Sequence, residues 1–147
     1  MDPLDRQIVA QLVANARASY AEIGGIIGLS APAVKRRVDK LLDAGVLRGF
    51  TAVVDLGAMG WGTQAFVEVH CRGNVSPTRL RAGLEPLPEV VAAYTVSGAA
   101  DAIVHLRAAG IGHLETALER LRAVAFIDQT VSTVVLSTLI ERPPTPS

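Results

Sequence analysis

Residues 29–45 read LSAPAVKRRVDKLLDAG and place Lys35, Arg36, Arg37 and Lys40 within six positions. Val34, Val38, Leu41 and Leu42 recur at helical spacing in the same stretch, which predicts an amphipathic helix. Ser30 has the chemistry of an N-cap, Pro32 fits the first turn, and Gly45 supplies a stop. At about 100° per residue, Arg36 and Lys40 point away from the apolar stripe, with Ala33 and Arg37 beside them. The chain has 147 residues, with 14 basic against 14 acidic, so this positive stripe is a local feature. Divided after Leu56, the first part holds seven basic and six acidic residues and the remainder seven and eight. A nucleic-acid partner would therefore be met by a patch and not by a global field.

Upstream, SYAEIGGIIGLS (19–30) opens on a capping box, Ser19 with Glu22 three residues on. Ile23, Ile26 and Ile27 form its apolar face and Gly28 is placed to end it. Gly24 and Gly25 inside this helix each cost roughly 1 kcal/mol relative to alanine, so tertiary packing must hold it. LDRQIVAQLVANAR (4–17) supplies a first helix through Leu4, Ile8, Val9 and Leu12, with Asp5 near its start. After Gly45, VLRGFTAVVD has strand-like content. The order helix, helix, tight turn, helix, strand predicts a winged helix-turn-helix. A solvated cationic stripe is the plainer reading of the third helix alone. The short helix and turn before it favour a DNA-facing one, in which Ser30, Ala31 and Ala33 let the backbone come close and the Lys and Arg residues meet phosphates or guanine edges.

GAMGWG (57–62) marks a joint of three glycines around Met59 and Trp61, with Trp61 expected to wedge between domains. Beyond it, TQAFVEVHCR alternates, with Ala65, Val67, Val69 and Cys71 on one face and Phe66, Glu68, His70 and Arg72 on the other. SPTRLRAGLEPL, capped by Ser76 and Pro77, is a helix; EVVAAYTVSG is a strand with a buried-looking run; DAIVHLRAA alternates; GHLETALERLRAV is a helix; IDQTVSTVVLSTLIE is a long β-rich run. That sequence of elements is a ferredoxin-like βαββαβ unit, making the whole an α+β protein. Two helices on one face leave the other face of the sheet without cover, which calls for a second copy and predicts a homodimer. The expected organisation is a DNA-binding domain over 1–57, a hinge over 58–62, an effector-binding and oligomerisation domain over 63–141, and a disordered tail over 142–147.

Half the residues are hydrophobic and 19% are charged, which argues against a disordered chain. No run is long and apolar enough for a membrane span, no secretory signal is visible, and Cys71 is the only cysteine, which together point to the cytoplasm. His70, His105 and His113 lie at no metal-binding spacing, Cys71 falls in line with buried valines, and Glu115 and Glu119 share a helix face with Arg122. No catalytic cluster, metal site or cofactor site is expected.

The stretches LDRQIVAQL, GLSAPAVKRRVDKLLDAGVLRGFTAVVD and VVAAYTVSGAADAIVHL resemble, in order and spacing, the Lrp/AsnC or feast/famine transcriptional regulators, from about Leu4 to Ile140. The resemblance implies an N-terminal helix-turn-helix and a C-terminal ferredoxin-like RAM module, dimers commonly joined into rings such as octamers, double-stranded DNA as partner, and an amino acid or related small molecule as effector. It places Ser19, Tyr20, Ser30, Ala31, Ala33, Lys35, Arg36, Arg37 and Lys40 toward DNA. It puts Gly98, Ala99, Ala100 and Asp101 in the family's Gly-x-x-Asp turn beside the effector cleft, with Ser132, Thr133 and Ser137 as further candidates on the last strand. In that role the turn's amides would hold a carboxylate and Asp101 an ammonium group; the plainer alternative is that Gly98 and Asp101 shape a tight turn. Ala100 and Ala102 stand where the family often has bulky residues, and Ala125-Phe126 replaces its usual Pro-Gly. A second function class remains beside the regulator: a small-molecule-sensing oligomer whose DNA binding is lost or secondary.

Overall fold

The computed structural model describes residues 1–141; the tail expectation for 142–147 lies outside the described residues. The chain forms two compact units, one built on Met1–Val53 and one on Val54–Leu139.

The first unit contains α1 (Pro3–Ala14), α2 (Tyr20–Ile27) and α3 (Ala31–Asp43). Each begins at a side-chain cap. Asp2 accepts from the Asp5 amide at 2.8 Å while Asp5 accepts from the Asp2 amide at 2.9 Å, a reciprocal box that satisfies two otherwise free donors. Ser19 and Glu22 repeat the arrangement on α2, and Ser30 accepts from the Ala33 amide on α3. Gly28 ends α2 at φ 76°, its N–H donating to the Gly24 carbonyl. α3 closes in a Schellman motif: the Gly45 amide donates to Leu42 and the Val46 amide to Leu41, with Gly45 at φ 68°. The apolar stripes meet in one core of Ile8, Leu12, Ile23, Val34, Val38 and Leu41.

The expected wing is not formed. Residues 46–55 make no strand, and among the described residues this unit contains no sheet. β-rich composition sets a local preference, but a strand also needs a backbone partner, and here it has none; Val53 is 97% exposed.

The second unit opens with a closed turn, in which the Met59 and Trp61 amides donate to Asp55 and Leu56 carbonyls and the Ala58 amide to Asp55 Oδ1. β1 (Thr63–Cys71), α4 (Pro77–Leu84), β2 (Val90–Thr95), β3 (Ala102–Ala108), α5 (Ile111–Arg122) and β4 (Ile127–Val134) follow. The sheet order is β2-β3-β1-β4, with every pair antiparallel. Ala65, Val67, Val69, Val104 and Leu106 are buried against Leu80, Leu84, Leu114 and Leu121 of the helices. The opposite face carries Phe66, Glu68, Ile103, His105 and Val131, aligned by register. There the Phe66 and His105 rings stack at 4.5 Å.

Two expectations for the strands are corrected. β2 is an edge strand and mostly exposed, not buried. β4 ends at Val134, so Ser137 lies beyond the last strand. Phe126, at the departure from Pro-Gly, is buried against Gly83 of α4, where an added Cβ would come within 2.6 Å of its ring. The aromatic ring and the missing side chain are complementary.

Candidate DNA-binding face and effector cleft

The α3 core residues seal one side of that helix and leave Arg36 and Lys40 exposed on the other. Both line an open hollow with Ala33, Leu29 and Val46. Among the described residues neither pairs with an acid. Ser19 and Ser30 spend their oxygens on caps, and the Ser19 backbone amide and then its hydroxyl hold the Glu22 carboxyl below its ordinary value. Tyr20 is half-buried against the three-helix core, and Ala31 and Ala33 lie at the half-buried front of α3.

The remaining two cations of the stripe are engaged within the chain. Arg37 donates to Asp2 Oδ2 at 2.6 Å and Asp5 Oδ1 at 2.7 Å, so it ties α3 to the cap of α1 and is not a free DNA-facing charge. The partner's backbone amide in the capping box holds each of Asp2 and Asp5 below the ordinary carboxylate value, with Arg37 adding to the effect. Those two carboxylates raise Arg37 in turn. Lys35 pairs with Asp39 at 2.6 Å one turn along α3; this pair is exposed and the lysine is raised by that acceptor.

In the second unit, the turn between β2 and β3 borders an open cleft of roughly 580 Å³ whose lining includes Glu68, Thr95, Ser97, Ala99, Ala100 and Ile103. Gly98 turns the chain at φ 133°. Asp101 faces elsewhere: its Oδ2 accepts from the Cys71 amide at 2.7 Å and its own amide donates to the Val69 carbonyl at 2.9 Å. Its side chain thus bonds to the neighbouring strand, while its carbonyl accepts from the Val96 amide at 3.4 Å and closes the turn. Burial pushes the Cys71 thiol up, and Asp101 adds to that shift. The β4 candidates separate by parity. Thr133 pairs with Phe66 and shares the open face, whereas Ser132 pairs with Val67 on the helix side.

Residues 1–42 match the family model of the AsnC-type helix-turn-helix domain, and residues 64–145 match that of the Lrp/AsnC ligand-binding domain. The chain belongs to the Lrp/AsnC family. It is 53% identical to the HTH-type transcriptional regulator Rv2324 of Mycobacterium tuberculosis, over 98% of this chain and 97% of that one. The same organism's HTH-type transcriptional regulator LrpA is 35% identical over 94% and 91%. Among solved structures, Escherichia coli AsnC superposes with a TM-score of 0.88 at 28% identity, covering 99% of both chains. The feast or famine regulatory protein Rv3291c of M. tuberculosis, complexed with L-methionine, gives 0.89 at 34% identity, again over 99% of both. This Lrp/AsnC chain is thus a helix-turn-helix transcriptional regulator with a ligand-binding domain. Among its described residues no helix is long and apolar enough to cross a membrane, and no three His, Cys, Asp or Glu side chains converge as a metal site.

Two acids in this Lrp/AsnC protein escaped the sequence reading. Glu68 lines the cleft; alternation alone groups it with Phe66 and His70 without saying which face of the sheet is open. Glu89 is 2% exposed and accepts at Oε1 from His113 Nε2 at 3.0 Å and Arg120 at 2.8 Å, while Oε2 is buried without a partner. Burial alone would raise Glu89; the His113 bond, its own backbone amide and Arg120 outweigh it and leave the carboxyl below its ordinary range. The other His113 nitrogen accepts from the Ala109 amide, and the ring meets Trp61 edge-on at 5.4 Å. Glu89 therefore joins the entry to β2, α5 and the turn before β1.

Proposed function

We propose that this regulator reads specific double-stranded DNA with Arg36 and Lys40 of α3, works in the cytoplasm as a homodimer assembled into a larger ring such as an octamer, and responds to an amino acid at the cleft beside residues 97–100. One observation carries the DNA assignment. α3 buries Val34, Val38 and Leu41 while leaving Arg36 and Lys40 exposed and unpaired among the described residues, the division of labour expected of a helix that enters the major groove. The apolar open face of the sheet, with Phe66, Ile103 and Val131, supports the dimer. The L-methionine complex of the related Rv3291c supports an amino-acid effector. Ser19, Tyr20 and Ser30 are suited to backbone phosphates. The intact helix-turn-helix favours this reading over a sensor that has lost DNA binding.

The test uses duplexes selected from a random pool by the wild-type protein. Arg36→Ala should weaken binding tenfold or more and, where the contact is to a phosphate, lower the slope of log K against log salt by about 1, with the assembly unchanged in sedimentation. Unaltered affinity and slope would refute the assignment.

A further inference from the structure

We infer that Glu68, and not Asp101, receives the ammonium group of a zwitterionic effector in the cleft, with the amides of residues 97–100 receiving its carboxylate. This rests on the effector reading above and names the chemistry of that same site.

The geometry first removes Asp101. One of its oxygens is occupied by the Cys71 amide at 2.7 Å, it is absent from the cleft lining, and its backbone is bonded to Val69. Turning it toward a ligand would break a charge-assisted bond to the sheet. Glu68 is free of such a commitment. Among the described residues it is the sole ionisable side chain lining the cleft, and its carboxylate is exposed. Its ionic neighbour, His70, stands 3.8 Å away, beyond hydrogen-bond distance.

The surroundings of Glu68 make a cation the fitting partner. It projects from β1 between Ile103 on β3 and Val131 on β4, the residues opposite it in the register. Any subunit covering this face would strip water from the carboxylate, and an ion deprived of water without a counter-charge is strongly unfavourable. The opposite wall has the complementary need. The amides of 97–100 donate to no group among the described residues, and Gly98 at φ 133° turns them through a bend. Successive free amides in a turn form an anion-binding concavity. Thr95 and Ser97 add hydroxyls, while Ala99, Ala100 and Ile103 give an apolar floor. A cleft lined by one acid, by small apolar side chains and by a turn whose amides have no acceptor among the described residues fits an α-amino acid.

Calorimetry on the full chain with the twenty standard L-amino acids identifies the tightest binder, followed by its des-amino analogue, each against wild type and Glu68→Gln. Removing the carboxylate or the ammonium should each cost tenfold or more in affinity, and removing both little more than either alone. Circular dichroism confirms that the exposed substitution leaves the fold intact. Wild-type binding retained in Glu68→Gln, or losses that simply multiply, would overturn the Glu68 assignment and leave the effector reading standing. Failure of all twenty amino acids to bind the wild type would overturn both.

Discussion

Gly24 and Gly25 are adjacent in α2, yet the same substitution should move stability in opposite directions at the two positions. A Cβ on Gly25 meets nothing within 4 Å, so Gly25→Ala gains only the helix preference of alanine, about 1 kcal/mol. A Cβ on Gly24 would fall on the Leu29 carbonyl oxygen and come within 3.2 Å of its carbon. Leu29 cannot easily retreat, because its own amide donates to the Gly24 carbonyl at 2.9 Å across the turn into α3. Overpacking costs up to about 3 kcal/mol; less the ~1 kcal/mol gained in helix preference, Gly24→Ala should lose about 2 kcal/mol. The two variants should therefore differ by about 3 kcal/mol, which for a domain this small separates their midpoints by more than about 10 °C. Thermal unfolding followed at 222 nm, where the helices dominate, reads the difference. Gly24→Ala should also weaken DNA binding, since it opens the turn that sets α3. Equal midpoints for the two variants would refute the tight-turn argument.

Arg37→Ala tests the ion pair to α1. Asp2 and Asp5 are held below their ordinary 3.8, so the unfolded chain takes up protons first as pH falls. Their contribution is complete above the ordinary value and is lost as pH drops through the lowered ones. Removing Arg37 should narrow the gap in stability between pH 7 and pH 2 in urea titrations followed at 222 nm; an unchanged gap would rule out the pairing. Glu89→Ala should destabilise the second unit by about 1–3 kcal/mol, the worth of hydrogen bonds to a buried charged group, its partners His113 and Arg120 being part-exposed themselves. It should also shift the emission of Trp61, the chain's one tryptophan, because His113 loses its anchor; wild-type stability and emission would contradict the assigned network.

The helices were readable because their signals are local. Ser19 with Glu22, Ser30 with Pro32, and Gly45 after Leu41 and Leu42 each act within one or two turns. β1 and β3 were readable for the same reason, since alternation such as Val67-Glu68-Val69 separates the two faces, whereas β2 and β4 showed only β-rich runs and the exposure of β2 did not follow from them. What escaped depends on distant partners. Residues 46–55 have strand composition, but composition cannot say whether a neighbouring strand exists. Arg37 has the periodicity of an outward cation, and its acids lie 32 and 35 positions earlier. Asp101 sits in a turn motif, yet its bond crosses 30 residues to Cys71. Glu89, beside Pro88 at the entrance to β2, carries no pattern that announces burial. The separation of Ser132 from Thr133 was available from strand parity but needed the pairing register to assign the faces.

The double attachment of Asp101 has a mechanical consequence. β1 is an interior strand of the sheet, and it holds the root of the 97–100 turn by two bonds while the turn's middle hangs from none. Among the described residues no bond holds the tip, but lifting the root means breaking two bonds to an interior strand. A tug at the cleft is delivered to Val69 and Cys71 instead of dissipating as a loop's flutter.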